Sequence, residues 1–312
     1  MKINKIKWTD DKLRRVAYYF GLGLTAREVA NSMTREFEQL FTIQTISNAK
    51  DRKLILQHLI ARESPSNIKY YEARTLPMED YAICCDGHAP FHSELWYNRL
   101  IMMSEKFGIK KVVYIGDAFD FSFAKHWLSD DNYTLEKEGD LCSSAIKSLG
   151  YFDKIYLCRG NHEYRVNRLT DGKIVSEIIV KSLGGESWGD KLEYSSYDKM
   201  FIGEFQGLET PGYMLVHPKS YSQISPAVAR RLAEKYHRHI INTHGHLVGY
   251  STDRSGRFQC VDLGGLFDVN KVEYIQKHTT SHPVWQNGFG MILSGKFHHF
   301  HSHTDFGYYG LP

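Results

Sequence analysis

The sequence predicts a layered α/β domain preceded by a small all-α module. Three observations carry this reading. The first sixty residues are helical in pattern, a polar stretch follows, and from about residue 81 short apolar β-type runs alternate with helix-patterned segments. Strands and helices in that rhythm build a sheet covered by helices. The expected organisation is a helical module over 1–60, a linker over 61–80 and an α/β domain over 81–312.

Within the front module, Leu13, Val16, Ala17 and Phe20 share one helix face, and Gly21-Leu22-Gly23 breaks it. Thr25-Ala26-Arg27-Glu28 has capping-box spacing, and Val29, Ala30 and Met33 continue an apolar face behind it. A third helix is expected from Thr45 through Leu54. Residues 1–70 hold thirteen Lys or Arg against seven Asp or Glu, so the positive charge lies at the front although the whole chain is only +3. The order of helices, with the opening Trp8, Thr9 and Asp10, resembles a helix-turn-helix module of the kind found at the front of some phage and bacterial proteins. The stretch from Thr34 to Phe41 is longer than the turn of about three or four residues such motifs use. The resemblance implies DNA contacts from Ser47, Asn48, Lys50, Arg52 and Lys53; the alternative is a helical cap or oligomerisation module with a solvated basic face.

Arg62-Glu63-Ser64-Pro65-Ser66-Asn67 has the composition of a linker. Beyond it, strands are expected at Tyr81–Cys85, Lys111–Ile115, Lys154–Cys158, Tyr213–Val216 and Ile240–Thr243. The clearest helix comes after Ser93, where Trp96, Leu100, Met103 and Phe107 form a stripe that stops at Gly108. Hydrophobic residues at 42% and aromatic residues at 13% supply an ordinary globular core and argue against disorder. No apolar run approaches the roughly eighteen residues that span a bilayer, so a cytoplasmic protein without membrane partners is expected. Five cysteines, two of them adjacent, argue against a disulfide framework and suit a reducing compartment.

Chemistry-bearing residues gather just past the expected strand ends, where open α/β sheets place their sites. The five clusters are Asp86-Gly87-His88, Gly116-Asp117-Ala118-Phe119-Asp120, Gly160-Asn161-His162-Glu163, Val216-His217 and His244-Gly245-His246. Carboxylates, imidazoles and one amide form a mixed oxygen and nitrogen set suited to catalytic Mn²⁺, Fe²⁺, Zn²⁺ or similar ions, and the absence of thiolates argues against structural zinc.

These blocks, D-x-H, G-D-x-x-D, G-N-H-E, a lone His after a strand and H-x-H, resemble the calcineurin-like metallophosphoesterase superfamily in content and order over residues 81–250. The resemblance implies a two-sheet metallophosphoesterase sandwich flanked by helices. It also implies two divalent metal ions, Mn²⁺ first among Fe, Zn, Ni and Mg, with Asp86, His88 and His246 on one, Asn161, His217 and His244 on the other, and Asp117 between them. Asp120 and Glu163 would orient these ligands from behind. The family's usual glycine before His244 is replaced by Thr243.

The ligand set implies metal-dependent hydrolysis of a phosphate ester by a metal-activated hydroxide, with His162 protonating or stabilising the leaving oxygen. Arg165 and Arg168 are candidates for a phosphate contact or for surface salt bridges, and His92 for lining the site or for an ordinary loop position. The run Phe297–His303 reads as a strand with histidines on both faces rather than a further metal site. Trp285 and Tyr308-Tyr309 read as core or rim aromatics, with base stacking as the alternative. Three functions compete: a phosphodiesterase or nuclease acting on DNA, a phosphomonoesterase or protein phosphatase, and a DNA-binding regulator with a scaffold metal site. Phe121-Ser122 after Asp120 departs from the longer G-D-x-V-D-R-G block of Ser/Thr phosphatases. A homo-oligomer is compatible with each.

Overall fold

The structure is a computed structural model that describes residues 8–9, 12–13, 15–16, 19, 25–50, 73–124, 134–170, 176–203, 212–272 and 285–311, with the backbone alone at 48–50. The chain divides into two compact units, Met1–Glu72 and Ala73–Pro312. None of the helices among the described residues is long and apolar enough to cross a membrane.

In the first unit, α1 (Ala26–Glu36) opens on Thr25, whose backbone N–H donates to Glu28 Oε2 at 2.7 Å while its hydroxyl accepts from the Glu28 N–H. The capping box expected from the spacing is therefore formed. Leu13, Val16, Val29, Ala30, Met33, Phe41 and Ile46 make a small core of their own. The Thr34 hydroxyl accepts from Phe41 N–H at 3.0 Å and donates to Ala30 O at 2.7 Å, folding the long connection back on α1. The next helix, α2 (Ile43–Lys50), starts two residues before the expected Thr45 because the Thr42 hydroxyl caps Thr45 N–H at 3.1 Å. Of the candidate DNA contacts, Ser47 is half-buried; Arg52, Lys53 and the side chains of Asn48 and Lys50 lie outside the described residues, as do Ala17, Phe20 and Gly21-Leu22-Gly23.

The strands of the second unit are, in chain order, β1 (Thr75–Leu76), β2 (Tyr81–Cys84), β3 (Lys111–Ile115), β4 (Lys154–Cys158), β5 (Leu192–Ser195), β6 (Lys199–Ile202), β7 (Tyr213–Val216), β8 (His239–Asn242), β9 (Val248–Thr252), β10 (Gln259–Leu263), β11 (Gly288–Leu293) and β12 (Lys296–His301). They form two six-stranded sheets, one in the order β12-β11-β2-β3-β4-β5 and the other β1-β6-β7-β8-β10-β9. β1 lies inside the stretch read as linker, paired in parallel with β6; two residues are too few to show a period.

Alternation within the inner strands assigns their two faces. Tyr81, Ile83, Val113 and Ile115 point toward the other sheet, where they meet Met200, Ile202, Leu215 and Ile241. Ala82, Cys84, Val112 and Tyr114 point outward, under α3 (Glu94–Lys106), α5 (Ser143–Leu149) and α7 (Ser176–Trp188), together with Trp96, Leu100, Ile146, Val180 and Trp188. With both faces covered, these strands read as unbroken apolar runs. The expected helix stripe holds at Trp96, Leu100 and Met103, but Phe107 caps the helix and is 37% exposed; buried Tyr97 takes part instead. All five cysteines are free and buried.

Candidate metal centre

β2, β3 and β4 are parallel neighbours in one sheet, and β7 and β8 are parallel neighbours in the other. Within each sheet their carboxyl ends therefore point the same way, and the five loops that follow them carry Asp86 and His88, Asp117 and Asp120, Asn161 to Glu163, His217, and His244 and His246. The helix α6 (Asn161–Leu169) starts directly on the third loop.

Two glycines let these loops touch. Gly116 has φ +68°, and a Cβ there would meet Gly160 Cα at 2.7 Å; a Cβ on Gly160 would collide with Asp117 Oδ1. Glu163 then ties the two loops together. Its buried carboxylate accepts the N–H groups of Asp117 at 2.9 Å, Ala118 at 2.9 Å and Gly160 at 2.8 Å. Asp117 Oδ1 accepts the His162 N–H at 2.8 Å, completing the clamp. Asp86, His88, Asp117, His244 and His246 all have positive φ, between 45° and 73°. For residues with a Cβ such backbone costs about 1–2 kcal/mol each, and accumulation of strain at one place marks a site held for its side chains.

The side chains converge in two overlapping groups. Asp86, His88 and His246 have ligand atoms within 4.8 Å of one another, and so do Asp117, His217 and His244; a third grouping joins His88, Asp117 and His162. Asp117 thus stands between the two ends. His88 Nε2 faces His246 Nε2 at 3.1 Å, and His246 Nε2 lies 3.3 Å from Asp86 Oδ1. At the other end His217 Nε2 lies 2.9 Å from Asn161 Oδ1 and 3.3 Å from Asp117 Oδ2. All seven residues expected as ligands are brought together.

The electrostatics follow from burial and mutual charge. Burial works against the charged ring of His217, but Asp117 and Asp86 outweigh it and raise its pKa to about 10. Burial and the neighbouring His162 depress His88 to about 4, while burial and His217 do the same to His244. Burial alone would raise Asp86, yet His217 and His246 hold it at about 2. The same opposition, with His162 and His217 prevailing, keeps Asp117 well below the usual carboxylate range.

Around this centre, His162 Nδ1 is held by Asp120, with the backbone oxygen at 2.9 Å and the carboxylate at 3.2 Å. Its Nε2 points to Asp117 Oδ2 at 3.7 Å. The Arg165 guanidinium lies 2.8 and 2.9 Å from the His162 ring nitrogens. Arg168 is exposed. His92 is buried with Nε2 against Ser144 Oγ at 2.7 Å and its ring on Tyr97, outside the three ligand groupings. In β12, His299 places Nε2 on Leu263 O at 3.1 Å, the contact of a packed strand. Trp285 stands edge to face on His246 with ring centroids 4.2 Å apart, a rim position, whereas Tyr308 is 82% exposed.

Two residues carry more than their sequence context discloses. Thr243 Oγ1 lies 2.9 Å from His217 Nδ1 and 3.3 Å from the Ile115 and Val216 carbonyl oxygens. It accepts from Nδ1–H and donates to a carbonyl, which turns Nε2 toward Asp117. Glu138, on α4 (Leu135–Leu141), accepts Phe121 N–H at 2.5 Å. Burial and the Asp120 charge raise its pKa to about 8, against the pull of the N–H groups of Phe121, Phe123 and Ser122. In the sequence, Thr243 shows only as a departure from the expected glycine, and Glu138 as one of several acids on a polar helix.

Thr243→Val removes the nearer of two acceptors facing His217 Nδ1, the other being Ile115 O at 3.2 Å, while keeping the shape, and is expected to cost about 1 kcal/mol in urea unfolding; Thr243→Ser should recover most of it, and equal midpoints for the two variants would contradict the bond. For Glu138, a folded pKa raised above the ordinary 4.5 means that the folded protein holds the proton more tightly. Its contribution to stability is present below pH 4.5 and lost as pH rises through about 8. Glu138→Gln should therefore gain on the wild type as pH rises across that window in denaturation curves, and a constant difference would rule the shift out.

No protein-family model and no curated protein matches the chain. Among solved structures it is similar to YfcE, a phosphoesterase from E. coli, with 13% identity over 69% of this chain and 89% of that one and a TM-score of 0.35. It is similar to a dimetal phosphatase from Danio rerio, with 12% identity, 69% and 95% covered and a TM-score of 0.32. It is also similar to the Pseudomonas putida nuclease MPE, with 14% identity, 70% and 87% covered and a TM-score of 0.27.

Proposed function

We infer that the chain is a two-metal phosphoesterase that cleaves phosphodiester bonds in DNA. The observation that carries the reading is the convergence of buried Asp86, His88 and His246 at one end, and of Asn161, His217 and His244 at the other, on either side of Asp117. These residues fit a pair of cations. Buried Asp86 Oδ1 and Asp117 Oδ2 meet the ring nitrogens of His246 and His217 at 3.3 Å without a well-formed hydrogen bond, and the His88 and His246 Nε2 atoms face each other at 3.1 Å. Burying two carboxylate oxygens in that state is costly unless a cation completes them. The mixed oxygen and nitrogen donors suit Mn²⁺, Fe, Zn, Ni or Mg, and of these Mn²⁺ is the ion proposed.

Two bound divalent ions would polarise the phosphoryl oxygens and make a water-derived nucleophile available near neutral pH. The chain's own groups do the rest. Asp117 screens the two cation sites from each other, and Glu163 fixes the Asp117 backbone through its N–H bonds. His162 is anchored through Nδ1 on Asp120, with Nε2 3.7 Å from Asp117 Oδ2; once the Arg165 guanidinium, 2.8 Å from Nε2, turns to a phosphate oxygen, Nε2 can give a proton to the leaving oxygen. Arg165, beside that ring, adds a fixed positive charge for a phosphate oxygen. The DNA assignment is supported by the excess of Lys and Arg in the first seventy residues and by the cations Arg165 and Arg168 on the helix that carries Asn161.

The test incubates Mn²⁺-treated protein with labelled single- and double-stranded DNA, a phosphodiester dye and a phosphomonoester dye, with Asp117→Asn as control. DNA and diester cleavage that stops on chelation is the expected result, and monoester turnover with intact DNA would overturn the assignment. His162→Ala should lower the cleavage rate by about 10² to 10⁴ while leaving metal content unchanged; a rate close to wild type would remove His162 from the mechanism.

A further inference from the structure

The rim of the centre has a composition of its own. The loop that begins at His217 continues through Lys219 and Tyr221 and passes Gly245, where an added Cβ would lie 3.9 Å from Ser222 O. Tyr221 is 57% exposed, and its ring stands edge-on to His244 with centroids 6.1 Å apart. Trp285 stands against His246, so both histidines of one loop are flanked by aromatic rings. One turn along α6 from Asn161, exposed Tyr164 carries Arg159 at 4.6 Å and Lys219 at 6.0 Å from its ring centroid.

These segments are one-sided in charge. Residues 159–169 and 217–226 contain Arg159, Arg165, Arg168 and Lys219, and their only acid, Glu163, is buried in the loop clamp. The Tyr221 loop is held at both ends. His217 N–H donates to Asp198 O at 2.8 Å, and Ser225 Oγ donates at 2.7 Å to Asp262, which also accepts from Asn242 Nδ2 at 2.6 Å. Cations beside aromatic rings on an anchored loop suit a ligand with phosphates along its backbone and flat bases beside them. Only unpaired bases offer their faces to a side chain.

We propose that this rim is a binding strip for single-stranded polynucleotide. Tyr221 stacks the base next to the scissile phosphate, and Arg159 and Lys219 hold the flanking phosphates. The inference rests on the phosphodiesterase reading and narrows its substrate to unpaired strands.

Its test measures binding without turnover, so that failure of the strip and failure of hydrolysis are read separately. The full chain, stripped of metal with chelator, is titrated against a fluorescent five-nucleotide DNA single strand, too short to occupy a duplex-binding module, and against a short hairpin duplex. The hairpin serves as the control, because only single-strand binding should depend on Tyr221. Tyr221→Ala should weaken it by about tenfold or more, Tyr221→Phe should retain wild-type affinity, and Lys219→Ala should weaken it and reduce the dependence on salt. Binding of the single strand unaffected by Tyr221→Ala in a variant with wild-type circular dichroism, or an equal loss of duplex and single-strand affinity on Tyr221→Ala, would overturn the proposal.

Discussion

Everything at the centre depends on a buried carboxylate that binds no ligand itself. Glu163 accepts backbone N–H groups from two loops at once, those of Asp117 and Ala118 on one side and Gly160 on the other. Buried donors and acceptors cost several kcal/mol when unpaired, so the loops are held together by mutual satisfaction rather than by apolar contact. The same burial, with the neighbouring Asp117 charge, raises the Glu163 pKa against the pull of those N–H groups. Gly116 and Gly160 permit the approach because neither has a Cβ to fill the gap.

Once that clamp is in place, the placement of the other groups results from parallel strands ending together. Three loops come from one sheet and two from the other, and the seven proposed ligands meet over the seam between them. The layer of apolar side chains between the sheets fixes this seam, since Ile115 and Cys85 belong to it, two residues before Asp117 and one before Asp86. Packing and chemistry are thus adjacent in sequence: a strand residue locked in the core is followed within two positions by a charged group in strained backbone. Core rigidity transmits directly to the centre.

The strands that bear the site were legible in the sequence because each is a short apolar run with a ligand block behind it, and the observed bounds of β3, β4 and β7 agree with the expected ones. The ligand blocks were legible for the same reason, each being local. What was not legible depends on contacts across long separations. Thr243 reaches His217 from twenty-six residues away, Glu138 reaches Phe121 across a loop, and Tyr221 meets His244 because its loop passes over Gly245. A spacing pattern holds no information about such meetings. Arg165 was open between two roles because a helix position alone does not tell which face is turned to the centre.

Two cation sites sharing Asp117 are the feature on which the proposed chemistry stands. Crystals grown with Mn²⁺ and measured by anomalous scattering at the manganese edge address it most directly. Two peaks about 3.5–4 Å apart are expected, one beside Asp86, His88 and His246, the other beside Asn161, His217 and His244, with the Asp117 carboxylate between them. A single peak, or peaks away from Asp117, would contradict a shared two-metal centre.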